Sequence, residues 1–254
     1  MMNKYVRRDQ VLGFIEQNQH VSVAQICETF GVSEATARRI LDELAKDTRI
    51  QRIRGGAIAV QTSPLERGFR SRSVEQAEEK MRIGKAASEL IEEGDTVFLG
   101  SGTTVAEIAY HLRERRNLTV MTNSIAVMEI LKDVPEIMLI GLGGILRHAE
   151  QSFIGHITEQ AMSELHADKV ITGIRAIDID RGLMNSDPLC TQTERAILAV
   201  GPQVILVADH TKCNRVDVAF VAPLSVVHIV VTDADAPADF VAALSARGIQ
   251  VVMA

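Results

Sequence analysis

Tryptophan is absent from these 254 residues, aromatic side chains make up only 4% of them, and cysteine occurs just at 27, 190 and 213. Three thiols that far apart, with no C-x-x-C pair, exclude a disulfide framework and a thiolate metal site, and suit a reducing compartment. The seven histidines are scattered without metal-ligand spacing, so no metal is expected. No apolar run is long enough to span a bilayer, and none follows Arg7-Arg8 to make an export signal; the expected location is the cytoplasm, away from membranes. No lysine follows the glycines at 100–104 and no G-x-G-x-x-G is present there, which argues against a nucleotide cofactor.

What is present suffices for a large core: 46% of the residues are hydrophobic, and the length suits a small module joined to a larger one. The net charge of −6 is unevenly spread, because residues 1–60 carry nine Lys or Arg against seven Asp or Glu. A mildly basic head on an acidic body fits contact with nucleic acid at one end.

The head centres on Phe30-Gly31-Val32-Ser33-Glu34-Ala35-Thr36-Ala37-Arg38-Arg39. Gly31 supplies positive φ after one helix, Val32 tucks under the turn, and Ser33 caps the next helix. Before it, Val6, Val11, Leu12 and Ile15 have helical spacing, and Ser22 precedes a second apolar face at Ala24, Ile26, Cys27 and Phe30. After it, Ala35, Ile40, Leu41 and Leu44 give the third helix a buried side. The alternation Ile50-Gln51-Arg52-Ile53-Arg54, the turn Gly55-Gly56 and the return Ala57 to Val60 predict a β-hairpin wing. The pattern is a winged helix-turn-helix. The residues expected at DNA are Ser22, Ser33, Thr36, Arg38, Arg39, Arg52, Arg54 and Gly55, with Thr36 at a thymine methyl or base edge, Arg38 and Arg39 at phosphates or guanine, and Arg52 and Arg54 clamping the phosphate backbone. A helical hairpin with solvated arginines is the bland alternative.

Residues 61–79 read as a linker, with a helix beginning near Val74, and residues 80–254 as an α/β domain. Short apolar runs at 97–99, 118–121, 137–140, 170–172, 204–208, 229–231 and 249–253 alternate with helical patterns at 105–113, 125–131, 157–165, 191–199 and 239–246. Such alternation predicts a mostly parallel sheet covered on both faces, with ligands at the carboxyl ends of its strands. Three such ends are rich in small polar residues: Ser101, Gly102, Thr103 and Thr104; Thr122, Asn123 and Ser124; and Gly143 and Gly144 followed by Arg147. Each alone is also compatible with a turn and a helix cap, but the three together favour one anionic ligand. Asp209 and Lys212, after the strand at 204–208, are a fourth candidate, with a surface salt bridge as the alternative.

These motifs resemble the DeoR family of bacterial transcriptional regulators. The head matches at Val21, Val23, Ile26, Phe30, Gly31, Val32, Ser33, Thr36, Arg38, Arg39, Leu41, Leu44, Ile50, Arg52, Gly55, Gly56 and Ala57. The body matches at Gly94 to Leu99, Ser101 to Thr104, Leu118 to Ser124, Gly143-Gly144, Arg147, Ser152, Gly155, Asp209 and Lys212. The resemblance implies a Rossmann-like sensor domain related to ribose-5-phosphate isomerase, operator DNA as partner, a phosphorylated sugar or related anionic metabolite as effector, and repression of a carbohydrate catabolic operon. A homodimer or homotetramer is expected, since paired heads match repeated half-sites.

The chain departs from the family pattern at Ile40 and Gly100, each in place of aspartate, at Thr48 for glycine, at Arg54 for histidine, and at Arg175 in a loop usually made of small residues. Arg175 thus joins the candidate effector ligands and suggests a more anionic effector. The rival reading is a sugar-phosphate isomerase with a DNA-binding head. Ile174, Arg175 and Ala176 stand where isomerase relatives place acidic residues, and no catalytic residues are assigned.

Overall fold

The computed structural model describes residues 10–15, 18, 20–45, 50–53, 55–59 and 68–254. They fall into two compact units divided between residues 66 and 67.

In the head, residues 10–15 are helical (α1) and bury Val11, Leu12 and Ile15. A short strand β1 (His20–Ser22) leads into α2 (Val23–Phe30), where Ser22 and Gln25 form a reciprocal capping box: Gln25 N–H donates to Ser22 Oγ at 3.2 Å and Ser22 N–H to Gln25 Oε1 at 2.8 Å. Gly31 ends α2 in the left-handed region at φ +60°. Ser33 then caps α3 (Glu34–Leu44), accepting from Thr36 N–H.

Strands β2 (Ile50–Ile53) and β3 (Gly56–Ala59) pair antiparallel, with β1 on the far side of β3. Gly56 is dictated by that third strand, because a Cβ there would lie 2.2 Å from the Val21 carbonyl oxygen. Ile26, Val32, Ala37, Ile40, Leu41, Leu44 and Ala57 close one core, with Phe14 edge-on to Phe30. Ile40, at the family's aspartate position, is therefore a core residue. Ser33→Ala should cost the head about 1 kcal/mol through loss of the cap, read as a lower melting temperature of its unfolding transition.

The body begins earlier than the sequence pattern implies. Segment α4 (Phe69–Val74) is already helical, and α5 (Ala77–Ser88) follows a break at Gln76, whose φ is +50°. Phe69 N–H donates to the Ala149 carbonyl at 2.7 Å, which fastens α4 to the body, so residues 68–79 belong to the folded sensor unit. Tertiary contacts hold α4, whose residues have too little apolar periodicity to be read as a helix.

Beyond it run β4 (Thr96–Leu99), α6 (Thr103–Leu112), β5 (Leu118–Thr122), α7 (Ile125–Leu131) and β6 (Ile137–Gly141). The hairpin β7 (Ile145–Arg147) and β8 (Ser152–Ile154) precedes α8 (His156–Ser163) and β9 (Lys169–Gly173). Then come β10 (Ala176–Asp178), β11 (Gly182–Asn185), α9 (Thr191–Ala199), β12 (Gln203–Val207), β13 (Ala219–Ala222), β14 (Ile229–Thr232), α10 (Ala238–Ala246) and β15 (Gln250–Met253).

Seven strands form a wholly parallel sheet in the order β15-β14-β12-β9-β4-β5-β6. Side-chain alternation sorts its two faces. Val97, Leu99, Val120, Ile171, Ile205 and Val207 pack with Ile83, Ile108 and Leu131 of α5, α6 and α7. Phe98, Met121, Val170 and Val204 face Met162 and Ile197 of α8 and α9, while Leu206 and Val230 meet Phe240 and Leu244 of α10. The antiparallel sheet β10-β11-β13 and the β7–β8 hairpin are additions that the strand count from sequence did not include.

Candidate functional site

On the head, Thr36 and the exposed Arg38 and Arg39 lie in the first two turns of α3, after the Ser33 cap. Ser33 Oγ is 3.0 Å from Thr36 Oγ1, and Arg38 Nη2 is 3.1 Å from Glu34 Oε2, a solvated contact of little energetic weight. Arg52 is tied down differently, with Nε 3.0 Å from Asp42 Oδ1 and Nη1 donating to the Gly56 carbonyl at 2.9 Å. Gly55 is the exposed hairpin turn at φ +86°, and its carbonyl accepts from Val23 N–H. Arg54 lies outside the described residues.

In the body, chain order runs β4-β5-β6 toward one edge of the sheet and β9-β12-β14-β15 toward the other, so the direction reverses between adjacent strands β4 and β9. Loops diverge at such a point and leave a crevice at the carboxyl ends. A cavity of about 480 Å³ lies there. Ser101, Gly102, Thr103, Thr104, Asn123, Arg147, Asp209 and Lys212 of the strand-end motifs line it together with Arg175. Gly102 starts α6 at φ +132° without a side-chain cap, so the first amides of a ten-residue helix stand at the cavity wall. Gly100 has no room for the aspartate common at its position, because a Cβ would come within 2.5 Å of Thr172 Oγ1.

Thr122, Ser124, Gly143 and Gly144 do not line the cavity but build its frame. Thr122 Oγ1 accepts from Ser124 N–H, Ser124 Oγ caps α7, and the Gly143 carbonyl accepts from Thr158 Oγ1 at 2.9 Å. Gly144 sits at φ +155°, where a Cβ would be 2.1 Å from Thr158 Oγ1. Asp209 is buried, and its Oδ1 accepts from Thr211 N–H at 3.0 Å, capping the turn that carries Lys212; the Lys212 ammonium is 3.9 Å from Asp209 Oδ2. Burial lowers the pKa values of Lys212 and Lys80, with Asp209 acting against that effect on both.

Several wall residues carry no motif signal. Arg72 comes from α4, within the stretch read as linker, and pairs with buried Glu150, whose other oxygen lies 2.6 Å from Arg175 Nη2. The extra cation at 175 is thus balanced by a carboxylate on the same wall. Lys80 donates to the carbonyls of Arg72 and Glu75. It shares the inner face of α5 with Ile83 and Ala87, and a lysine in that register is a legible clue. Arg147 lies 2.7 Å from Cys190 Sγ and 3.2 Å from Asp187 Oδ2. Burial pushes the Cys190 thiol up to about 12, so it stays protonated and inert. Burial also pushes Glu194 up to about 7, against the Asn185 hydrogen bond and the fields of Arg147 and Arg175, and with that of Glu150. With Arg215, six cationic side chains meet four carboxylates on the wall.

Among the described residues, His210, Asp233 and Asp235 bring possible metal ligands within 4.8 Å of one another. Asp233 is already taken by the backbone N–H and ring of His210 and the N–H of Asp235. No described helix is long and apolar enough to cross a membrane.

Two family models match the chain: the DeoR-like helix-turn-helix domain over residues 7–63 and the DeoR C terminal sensor domain over 75–234. The glycerol-3-phosphate regulon repressor of Escherichia coli is 34% identical over 98% of each chain. The transcriptional repressor AccR of Agrobacterium fabrum is 34% identical over 89% of this chain and 88% of its own. A solved structure of ribose 5-phosphate isomerase A from Methanocaldococcus jannaschii aligns at TM-score 0.41 and 18% identity over 55% of each chain.

Proposed function

The chain belongs to the DeoR family of transcriptional regulators, and we propose that it is a cytoplasmic repressor of a carbohydrate catabolic operon whose operator binding answers to a phosphorylated sugar or similar anionic metabolite. The observation that carries the effector class is the cavity at the sheet's reversal point, with a positive wall on a body of negative net charge and an uncapped helix N-terminus. A phosphate suits both features. Paired heads from a homodimer or homotetramer would engage repeated half-sites.

The effector acts by population shift, binding one state of the regulator better than the other, and only that difference in affinity changes DNA binding. Arg72 and Lys80 connect the cavity to α4, the first described element after residues 60–67.

The test begins with operator fragments selected from random duplexes by the full chain. Arg39→Ala should weaken their binding about tenfold and reduce the slope of log affinity against log salt by about 1 if it contacts a phosphate. A phosphosugar that raises the melting temperature should also change the fragment affinity. A ligand that stabilises the protein yet leaves DNA binding unmoved would separate the sensor from the repressor and sink the reading.

A further inference from the structure

Two oxygen acceptors on the cavity wall have no donor among the described residues: Asn123 Oδ1, on a side chain that is 2% exposed, and Glu194 Oε2 on α9. Their orientation follows from the neighbours. Asn123 Nδ2 donates to the Phe153 carbonyl at 2.8 Å, and a flipped amide would set oxygen against oxygen. Asn185 Oδ1 accepts from Ser186 N–H at 2.7 Å, which commits its Nδ2 to Glu194 Oε1 and leaves Oε2 unserved. Buried acceptors without donors are costly, and the two guanidiniums whose fields reach Glu194 already pair with other carboxylates. Arg147 on β7 holds Asp187 and the Cys190 thiol, and Arg175 after β9 holds Glu150.

We propose that the effector's own hydroxyls donate to Glu194 Oε2 and Asn123 Oδ1, so that Glu194 selects polyol and sugar phosphates over phosphate esters without hydroxyls, and that binding releases a proton from Glu194. The inference rests on the anion-sensing reading above. A hydroxyl donating to Oε2 favours the carboxylate. The free carboxyl titrates at about 7, so the complex titrates lower. Affinity is complete above that value and falls by up to tenfold per pH unit below it. The facing groups that oppose or assist this ionisation are Arg147, Arg175, Glu150 and the Cys190 thiol.

Calorimetry on the full chain at pH 6 and pH 8 provides the test. The probes are glycerol 3-phosphate, ribose 5-phosphate and glucose 6-phosphate, with n-propyl phosphate and inorganic phosphate as controls. Two buffers of different ionisation enthalpy at pH 7 report proton release. At least one polyol phosphate should bind about tenfold or more tightly than n-propyl phosphate, releasing about half a proton at pH 7. Glu194→Gln should lose that margin and that proton release. Selectivity of the parent chain between glycerol 3-phosphate and n-propyl phosphate needs no substitution at all. Equal binding of n-propyl phosphate and all three hydroxyl-bearing phosphates, or a polyol phosphate that binds Glu194→Gln with unchanged affinity and proton release, overturns this inference and leaves the sensing of anions standing. If none of the phosphate esters binds at either pH, both fall.

Discussion

Glu150→Gln should lower the stability of the sensor unit by about 3 kcal/mol, and added phosphate should restore more of it in the variant than in the parent. Glu150 is 7% exposed and bridges two guanidiniums, with Oε2 on Arg72 and Oε1 at 2.6 Å from Arg175. Removing one member of a buried ion pair costs about 3–5 kcal/mol, because the partner's charge stays buried without compensation. The glutamine carbonyl still accepts one hydrogen bond, which places the effect at the lower end. For a domain of this size that is a drop of roughly 6–12 °C in melting temperature.

The second half of the expectation follows from the same charges. In the parent an entering phosphate competes with Glu150 for the two arginines; in the variant it does not. The stabilisation by phosphate, read from melting curves at rising concentration, should therefore begin at lower concentration in Glu150→Gln. A variant that melts with the parent and responds identically to phosphate would show that the pair carries neither stability nor anion affinity.

Glu194→Gln should stabilise the unliganded protein, and only above acidic pH. The folded carboxyl titrates at about 7 against an ordinary value of 4.5, chiefly because burial disfavours its charge. The folded state therefore binds this proton more tightly than the unfolded state. Stability from this group is fully present below about 4.5, declines as the pH rises toward 7, and is flat above it. The whole interval corresponds to about 3 kcal/mol. Glutamine does not titrate, so the difference between variant and parent isolates the group from Asp233, whose pKa is lowered because hydrogen bonds from His210 and Asp235 outweigh its burial. Melting temperatures should coincide near pH 4.5 and diverge by several degrees at pH 8. Curves that stay parallel across that range would mean that Glu194 is ionised in the free protein at neutral pH, and the proton release proposed above would lose its source.

Much of this was legible in the residues themselves. Gly31, Ser33 and the apolar faces of α2 and α3 act over one or two turns, so their roles follow from local geometry. The strands of the large sheet are short continuous apolar runs because both their faces are covered, and that also reads directly from sequence. Strand-end motifs brought Ser101 to Thr104, Asn123, Arg147 and Lys212 to one cavity because loops diverge at the carboxyl ends of a parallel sheet where its direction reverses.

Apart from Lys80, the residues that sequence did not reveal share one property: they reach the cavity from elements whose local pattern says nothing about it. Arg72 sits in a short helix held by Ala149 and Glu150, distant in sequence. Glu150 lies in a hairpin turn and Glu194 on an amphipathic helix, where a carboxylate ordinarily faces water. The motif residues Thr122, Ser124 and Gly144 went the other way, since their hydrogen bonds and close approaches are used to shape the wall.

By itself, then, the sequence determined the family, the winged head, the parallel sheet and the end of the sheet where the cavity opens, because periodicity, caps and turns are short-range physics. Only the tertiary structure decided which charges face one another across the cavity. Pairings such as Arg72 with Glu150, and acceptors left without donors at Asn123 and Glu194, depend on where distant segments meet, and it is burial at that meeting point that sets both the protonation state of Glu194 and the strength of the ion pairs.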